Sequence, residues 1–430
     1  MNAPRQKSAL QSGHADVVIA GGGMVGVSLA LQLGAVLPQR TSILLVEGFQ
    51  LPPPKQEGKL DYHPSFDARS TALSYSSRLI YQNIGVWDAL QEWLCPIETI
   101  HVSNRGRFGS TVLNAAQHGW SALGYVVENA WMGSALLQAL YRQGRVEVCS
   151  PARVLAAQPR GEGVRLQLEG TETSGAASEI DAQLLVVADG AGSGLREHLG
   201  VAVREKPYRQ HALVANVATA EPHKGCAFER FTECGPLALL PLLAAAGAEH
   251  RSALVWTLPP DEAQHMASCD DTVFLQQLQL RFGYRLGRLL QVGERHSYPL
   301  SLVQSSEQVR QAVVVMGNAA HALHPVAGQG YNLALRDVAG LGAALSQAAE
   351  KRQSLGDLRV LQGYQRRQMA DQERTIGFSD QVPSLFMHSD PLLGLARDLA
   401  LSGLDLLPAL KREFVGYAAG VAGSGLRADV

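Results

Sequence analysis

Three glycine-centred segments, opening at Gly21, Asp189 and Gly317, hold the residues best suited to chemistry in this chain. The first, Gly21-Gly22-Gly23-Met24-Val25-Gly26, follows the apolar run Val17-Val18-Ile19 and opens an apolar stretch to residue 36. In such a turn Gly21 permits the tight bend, Gly23 lets backbone approach a pyrophosphate, and Gly26 lets helix pack on strand. The helix N-terminus then faces the phosphates with unpaired N–H groups and a favourable dipole. Glu47 ends the next apolar run about 20 residues on, where an acid hydrogen-bonds ribose hydroxyls. That acid also disfavours a 2′-phosphate. Glycine turns occur for structural reasons alone, but strand, helix and terminal acid together make this a site for FAD or NAD rather than NADP.

The second segment, Val186-Val187-Ala188-Asp189-Gly190-Ala191-Gly192-Ser193-Gly194-Leu195-Arg196, runs from a buried strand into an acid and several glycines. By itself it is equally an ordinary strand–turn–helix connection. The third is Gly317-Asn318-Ala319-Ala320-His321, followed by Pro325, Gly328, Gly330 and Asn332. Asn318 can offer its amide to a polyol, and the loop from Pro325 to Gly330 bares backbone N–H groups. A helix starting near Gly330 aims its positive end above that loop. A reduced flavin carries negative charge on its ring, which such a terminus stabilises. An NAD dehydrogenase has no need of this second loop, so the third segment separates FAD from NAD.

The elements that must position these segments follow from hydrophobic period. Residues 16–20, 43–47, 184–188 and 312–316 read as short buried strands, and 24–36 and 329–349 as helices. Strand–helix–strand at the start implies a right-handed βαβ unit in a parallel sheet. Residues 71–94 and 131–142 have helical patterns, while 97–125 and 204–300 alternate as antiparallel strands do. The fold class is therefore α/β, a Rossmann-like nucleotide-binding domain interrupted by a second, sheet-based domain, with helices at the C-terminal end. The expected division puts 14–82, 126–203 and 296–350 in the FAD-binding domain and 83–125 and 204–295 in the substrate domain. A helical region, 351–430, completes it.

Composition narrows the rest. The chain has 430 residues, 46% apolar and 18% charged, which suits two globular domains rather than a disordered chain. A formal net charge of −2 gives no electrostatic case for nucleic acid. The cysteines show no metal-ligand spacing, so no metal is expected and reduced thiols in a cytoplasmic protein are. The first dozen residues lack an apolar signal region and read as a disordered lead-in. The longest apolar run, 237–247, is interrupted by Pro241 and is shorter than the ~20 residues of a spanning helix.

The three segments resemble those of the class A flavoprotein aromatic hydroxylases, the group that includes p-hydroxybenzoate hydroxylase. The family's DG motif matches Asp189-Gly190, and its GD motif matches Gly317-Asn318. More narrowly, Phe66-Asp67-Ala68-Arg69-Ser70-Thr71-Ala72-Leu73, Ala227-Phe228-Glu229-Arg230-Phe231-Thr232 and His324-Pro325-Val326-Ala327-Gly328-Gln329-Gly330-Tyr331-Asn332 look like the ubiquinone-biosynthesis hydroxylases. The branch most similar acts on 2-polyprenyl-6-methoxyphenol. The resemblance implies a p-hydroxybenzoate-hydroxylase-like fold, FAD as cofactor and NADPH or NADH as co-substrate. The implied reaction is electrophilic transfer of oxygen from a flavin C4a-hydroperoxide, made with O₂, to a prenylated methoxyphenol. It would make Arg69 a contact for the adenosine or pyrophosphate side, Asn129 a contact for phosphate or ribityl, and Val154 a backbone contact for adenine. Asp189 would serve flavin binding and the nicotinamide donor's approach. Gly317, Asn318, Pro325, Gly328, Gly330 and Asn332 would line the flavin. The wider family has Asp at position 318; Asn318 keeps a hydrogen bond to ribitol without the charge.

No side chain identifies itself as a catalytic base, and Pro325, Gly328 and Gly330 are the candidates from the flavin loop. His321 and His324 read as capping or packing residues, and Glu229-Arg230 as substrate-orienting or as a plain ion pair. The amphipathic stretch 391–415 packs on the first domain or a partner subunit, with attachment to the surface of the inner membrane the minority alternative. Self-association and membership of a quinone-synthesis assembly stay open. So do two rival functions: another flavoprotein reaction (epoxidase or oxidase, or hydroxylation of another ring position or phenol), and a scaffold subunit with residual catalysis.

Overall fold

A computed structural model of the chain describes residues 9–54, 62–107, 109–170, 179–325, 328–387, 411–413, 415–416 and 419–421. Its first sheet has a parallel centre. The strand His14–Ala20 lies between Glu179–Val187 and Ile43–Val46, with Val313–Val315 beyond the former and Glu147–Cys149 beyond the latter. Val17, Val18 and Ile19 are fully buried because the sheet is covered on both faces. One face carries the helices Met24–Val36, Asn129–Gln143 and Gln329–Glu350. The other is covered by an antiparallel ribbon, Arg153–Arg160 and Gly163–Glu169, which joins the sheet through Glu179–Val187.

Among the described residues the second sheet has nine strands and is antiparallel except where Cys226–Thr232 runs beside Thr99–Asn104. The 17-residue strand Val203–Thr219 is its spine, pairing with Arg251–Leu258 on one side and His296–Ser305 on the other. One face is covered by two helices, Pro260–Ser268 and Asp271–Phe282, around Trp256, Phe274 and Phe282. A small third sheet, Ser70–Ser74, Gly124–Glu128 and Leu94–Ile97, lies between the two larger ones.

Several sequence expectations change. The alternating stretch 204–300 contains those two helices, whose starts are marked by Pro260 with Asp261 and Glu262, and by Asp271. Residues 71–94 are not one broken helix. Ser70–Ser74 pairs with Gly124–Glu128 before Ser74 caps the helix Tyr75–Asn83 by accepting from the Ser77 N–H. The segment from residue 296, grouped by sequence with the first domain, opens instead with the strand His296–Ser305 of the large sheet. At the N-terminal end, Ala9–Ser12 forms a helical turn with Ala9 buried and its N–H donating to Glu147. Most of 391–415 lies outside the described residues; Val415 is buried with Leu113, Ala115 and Leu123.

Candidate active site

The three glycine-centred segments meet at one edge of the parallel sheet. Their strands, His14–Ala20, Glu179–Val187 and Val313–Val315, are adjacent and parallel, so their carboxyl ends open on the same side. Ligands bind outside such strand ends. Hydrogen bonds continue the pairing into the turns: Gly21 N to Val46 O at 2.8 Å, Ala188 N to Ala20 O at 2.8 Å, and Met316 N to Val187 O at 2.9 Å.

The glycines there do different work. Gly21 has φ +111°, and a Cβ on it would lie 2.4 Å from the Ala188 carbonyl oxygen. A Cβ on Gly26 would lie 1.9 Å from the Gly21 oxygen, so helix and turn touch only because both are glycine. Among the described residues nothing beyond its chain neighbours comes within 4 Å of a Cβ added at Gly23. Its missing side chain leaves room for something other than protein. Gly317, at φ +62°, would set a Cβ 3.2 Å from Val25, which seats the third segment on the first turn of the helix Met24–Val36. That helix has no side-chain cap at Gly23, and Gln329–Glu350 has none at Gly328, which is left-handed at φ +59°. Two uncapped helix ends facing one sheet edge favour an extended ligand with negative charge at two places.

Glu47 holds the first turn. One carboxylate oxygen accepts from Gly22 N at 2.6 Å and the other from Phe49 N at 2.9 Å. Its main chain bonds Cys149 O and Ala152 N, which sets Val154 at the same rim, half-buried. Asn129 and Arg69 are brought together where two strands of the small sheet end: Asn129 N donates to Arg69 O at 2.8 Å, and Thr71 Oγ1 to Asn129 Oδ1 at 2.7 Å. The Arg69 guanidinium is exposed and donates to Tyr298 Oη of the large sheet at 3.0 Å. Asp189 and Asn318 are exposed at the strand ends, and Pro325 and Gly330 are partly buried in the loop before the last helix.

One residue expected to line the cofactor is placed otherwise. Asn332 is 1% exposed, and its amide is fully used within the protein. Oδ1 accepts from Ser74 N at 2.8 Å and Ser77 Oγ at 2.7 Å, and Nδ2 donates to Ala72 O at 2.9 Å and Gly328 O at 2.7 Å. Asn332 clamps the loop helix to the small sheet. Asn332→Ala is expected to destabilise the fold by about 3 kcal/mol, because buried backbone groups lose their partners. Asn332→Asp keeps the acceptor but turns a second oxygen towards the Ala72 and Gly328 carbonyls, so it should destabilise at least as much; denaturant midpoints of the three proteins decide this.

Sequence reading missed the residues that tie the halves together. Arg196, 3% exposed, donates to Ala191 O at 3.2 Å and Ala319 O at 3.0 Å, riveting the second segment to the third. Arg251 of the large sheet pairs with Glu128 of the small one; both are buried, and the Tyr62 hydroxyl also donates to Glu128. Asn216 donates to Phe66 O and Ala68 O, both at 2.8 Å, and Asp67 accepts from Glu294 N at 2.6 Å. The motif around Arg69 is thereby docked on the large sheet. A buried arginine or asparagine in a strand is the only local signal these residues carry.

His321 enters the edge of the large sheet, and its Nε2 lies 3.0 Å from Asp337 of the loop helix, a packing contact between two buried groups. His324 is fully buried, edge-on to Tyr208 at 5.1 Å between centroids. Burial lowers its imidazole from 6.5 to about 4, against a smaller upward pull from Asp380. Between those two values the unfolded chain binds a proton that the folded chain does not. Stability therefore falls as pH drops from 6.5 towards 4, by up to about 3 kcal/mol. His324→Phe should flatten that acid limb, measured as melting temperature against pH.

These residues fit an adenine dinucleotide, with room at Gly23 and two uncapped helix ends to meet its charges. Among the described residues no group of three or more His, Cys, Asp or Glu could hold a metal. Fold and site together define a flavoprotein hydroxylase. The chain belongs to the FAD binding domain family, whose profile matches residues 14–370. It is 33% identical over 407 residues to the ubiquinone hydroxylase UbiL of Rhodospirillum rubrum, covering 94% of this chain and 90% of that one. It is 30% identical over 415 residues to the 3-demethoxyubiquinol 3-hydroxylase of Escherichia coli, covering 94% and 98%. The fold matches solved p-nitrophenol 4-monooxygenase PnpA of Pseudomonas putida DLL-E4 with a TM-score of 0.74 at 17% identity, over 96% of this chain and 99% of that one.

Proposed function

We propose that this enzyme hydroxylates the ring of a prenylated phenol on the route to ubiquinone, with a methoxyphenol as the favoured substrate. The observation that carries this reading is the similarity, over nine-tenths of each chain, to proteins named for hydroxylation of the ubiquinone ring. Bound FAD supplies the two-electron chemistry, accepting a hydride from NADH or NADPH and activating O₂. In balance, the ring C–H becomes C–OH, the second oxygen atom leaves as water, and NAD(P)H is oxidised.

The chain's own residues bind and orient. Gly21, Gly23 and Gly26 admit the pyrophosphate to the helix end, while Glu47 holds that turn and accepts from ribose hydroxyls. Arg69 and Asn129 meet the phosphate side, and the backbone at Val154 meets adenine. Asn318 would bond the ribityl chain, and Asp189 would serve flavin binding and the nicotinamide donor's approach. The N–H groups from Gly328 to Gly330, shaped by Gly317 and Pro325, steady negative charge at the ring edge.

The test is turnover of a short-tailed 2-prenyl-6-methoxyphenol with NAD(P)H and ¹⁸O₂. Product carrying one ¹⁸O is expected. Peroxide without product would indicate an oxidase, and purified protein that takes up no FAD a scaffold subunit. The mass of the quinone precursor that accumulates when the gene is removed identifies the ring position.

No described helix is long and apolar enough to cross a membrane. A long-tailed substrate would reach the enzyme at a membrane surface or from a partner in a quinone-synthesis assembly. Flotation with anionic liposomes separates these routes.

A further inference from the structure

The large sheet has one face covered by helices and one turned towards the cofactor half. Side chains alternate along each strand, so residues two apart share a face. Phe228 belongs to the helix side, where its ring meets Phe282 edge-on at 5.5 Å. Arg251, Asn216 and Tyr298 belong to the other side and reach Glu128, the 66–68 backbone and Arg69.

Glu229 also lies on that inner face. Register sets it opposite Val102 on one neighbouring strand and Ala238 on the other. The row continues through Val255, opposite Ala238, to Val214, opposite Val255. One carboxyl thus stands in an apolar row across the middle of the face. Glu229 is half-buried, so part of its surface stays accessible from the inner face.

Among the described residues this carboxyl has no hydrogen-bond or ion-pair partner. On the flanking strands the residues that share its face near it are Ile100, Val102, Asn104, Pro236, Ala238 and Leu240, none of them titratable. Arg230 beside it points to the helix side. The helix Leu358–Met387 packs over this strand pair, but its Asp380 is held by Lys206 and Tyr208 and its Asp371 by Arg336. Burial alone pushes the Glu229 carboxyl up to about 7, with no neighbouring charge contributing. A desolvated carboxyl without a protein partner is costly unless water or a ligand completes its hydrogen bonding.

We propose that Glu229 is a catalytic residue that accepts the hydroxyl proton of the bound phenol. The phenolic O–H bond breaks, the proton passes to the carboxylate, and the electron pair stays on oxygen, where it enriches the ring for electrophilic attack. Water takes the proton from Glu229 as product leaves. No further reagent is consumed. This role rests on the phenol-hydroxylase reading above.

The test uses the FAD-loaded enzyme with 2-farnesyl-6-methoxyphenol as probe. Glu229→Gln should bind FAD and melt like wild type, yet lose about 100-fold in kcat for hydroxylated product. Its kcat–pH profile should lose the ionisation near pH 7, and Glu229→Asp should restore an ionisation with part of the rate. Ultraviolet difference spectra should show bound phenolate in wild type at neutral pH and bound phenol in Glu229→Gln. An unchanged kcat–pH profile or an unchanged phenolate spectrum in Glu229→Gln would overturn the role while leaving the hydroxylase reading intact. Wild type that neither binds nor turns over the probe overturns the phenol reading, and this role with it.

Discussion

Gly26→Val should leave the purified protein without its yellow colour, whereas Gly23→Ala should leave the apoprotein about as stable as wild type and weaken FAD binding alone. The two glycines lie three residues apart in one turn, but the structure separates their jobs. A Cβ on Gly26 meets the Gly21 carbonyl oxygen at 1.9 Å, backbone against backbone, so no side-chain rotation relieves it. The helix Met24–Val36 must move off the turn, and the N–H groups of its first turn move with it. The expected loss in FAD affinity is at least about 100-fold, or ~3 kcal/mol, beside ~1–3 kcal/mol of overpacking in the fold itself. Among the described residues nothing beyond its chain neighbours comes within 4 Å of a Cβ added at Gly23, so an added methyl meets no packed protein atom and chiefly obstructs the ligand. Apoprotein melting temperatures and FAD titrations decide the matter. Equal losses of stability in both variants would sink the distinction.

Arg251→Ala should be the most destabilising change outside the glycine turns, by about 3–5 kcal/mol. Its guanidinium is 0% exposed and its partner Glu128 is 5% exposed. It also donates to Ser65 O at 2.6 Å and Leu243 O at 2.5 Å, joining the large sheet, the small sheet and the loop between them. Among the described residues, removing the cation leaves a buried carboxylate with only Tyr62 and Ser65 N as donors. Pairing Arg251→Met with Glu128→Gln removes both charges together, and it should regain most of the loss. Denaturant midpoints of wild type, single and double variants form the cycle. A double variant no more stable than Arg251→Ala would show that the carbonyl contacts, not the unpaired charge, set the cost.

What could be read from the chain was local. Val17-Val18-Ile19 running into Gly21 requires neighbours only a few residues away, and so does the loop from Gly317 to Gly330. Glycine at a turn and a buried apolar run carry their reasons with them. Readings failed where the deciding partner was remote. Asn332 has the type of a ligand-binding amide, yet Ser74, Ser77 and Ala72, more than 250 residues earlier, consume it. The same holds for 70–74, where the helical pattern lost to pairing with Gly124–Glu128. Alternation in 204–300 concealed two helices, because both bury one side on the sheet they cover.

Glu229 marks the boundary most clearly. By sequence it was an acid beside an arginine, as much an ion pair as a functional group. Strand alternation sends Arg230 to one face and Glu229 to the other, and that separation leaves the carboxyl without a partner among the described residues. The sequence by itself determined that the chain binds a dinucleotide of the flavin type, since glycine conformation, strand hydrophobicity and helix dipoles act over a few residues. Only the tertiary structure decided which polar residues are spent inside the protein and which still face a ligand. Hydrogen bonds and desolvation depend on what lies within a few ångströms in space, however distant it is along the chain.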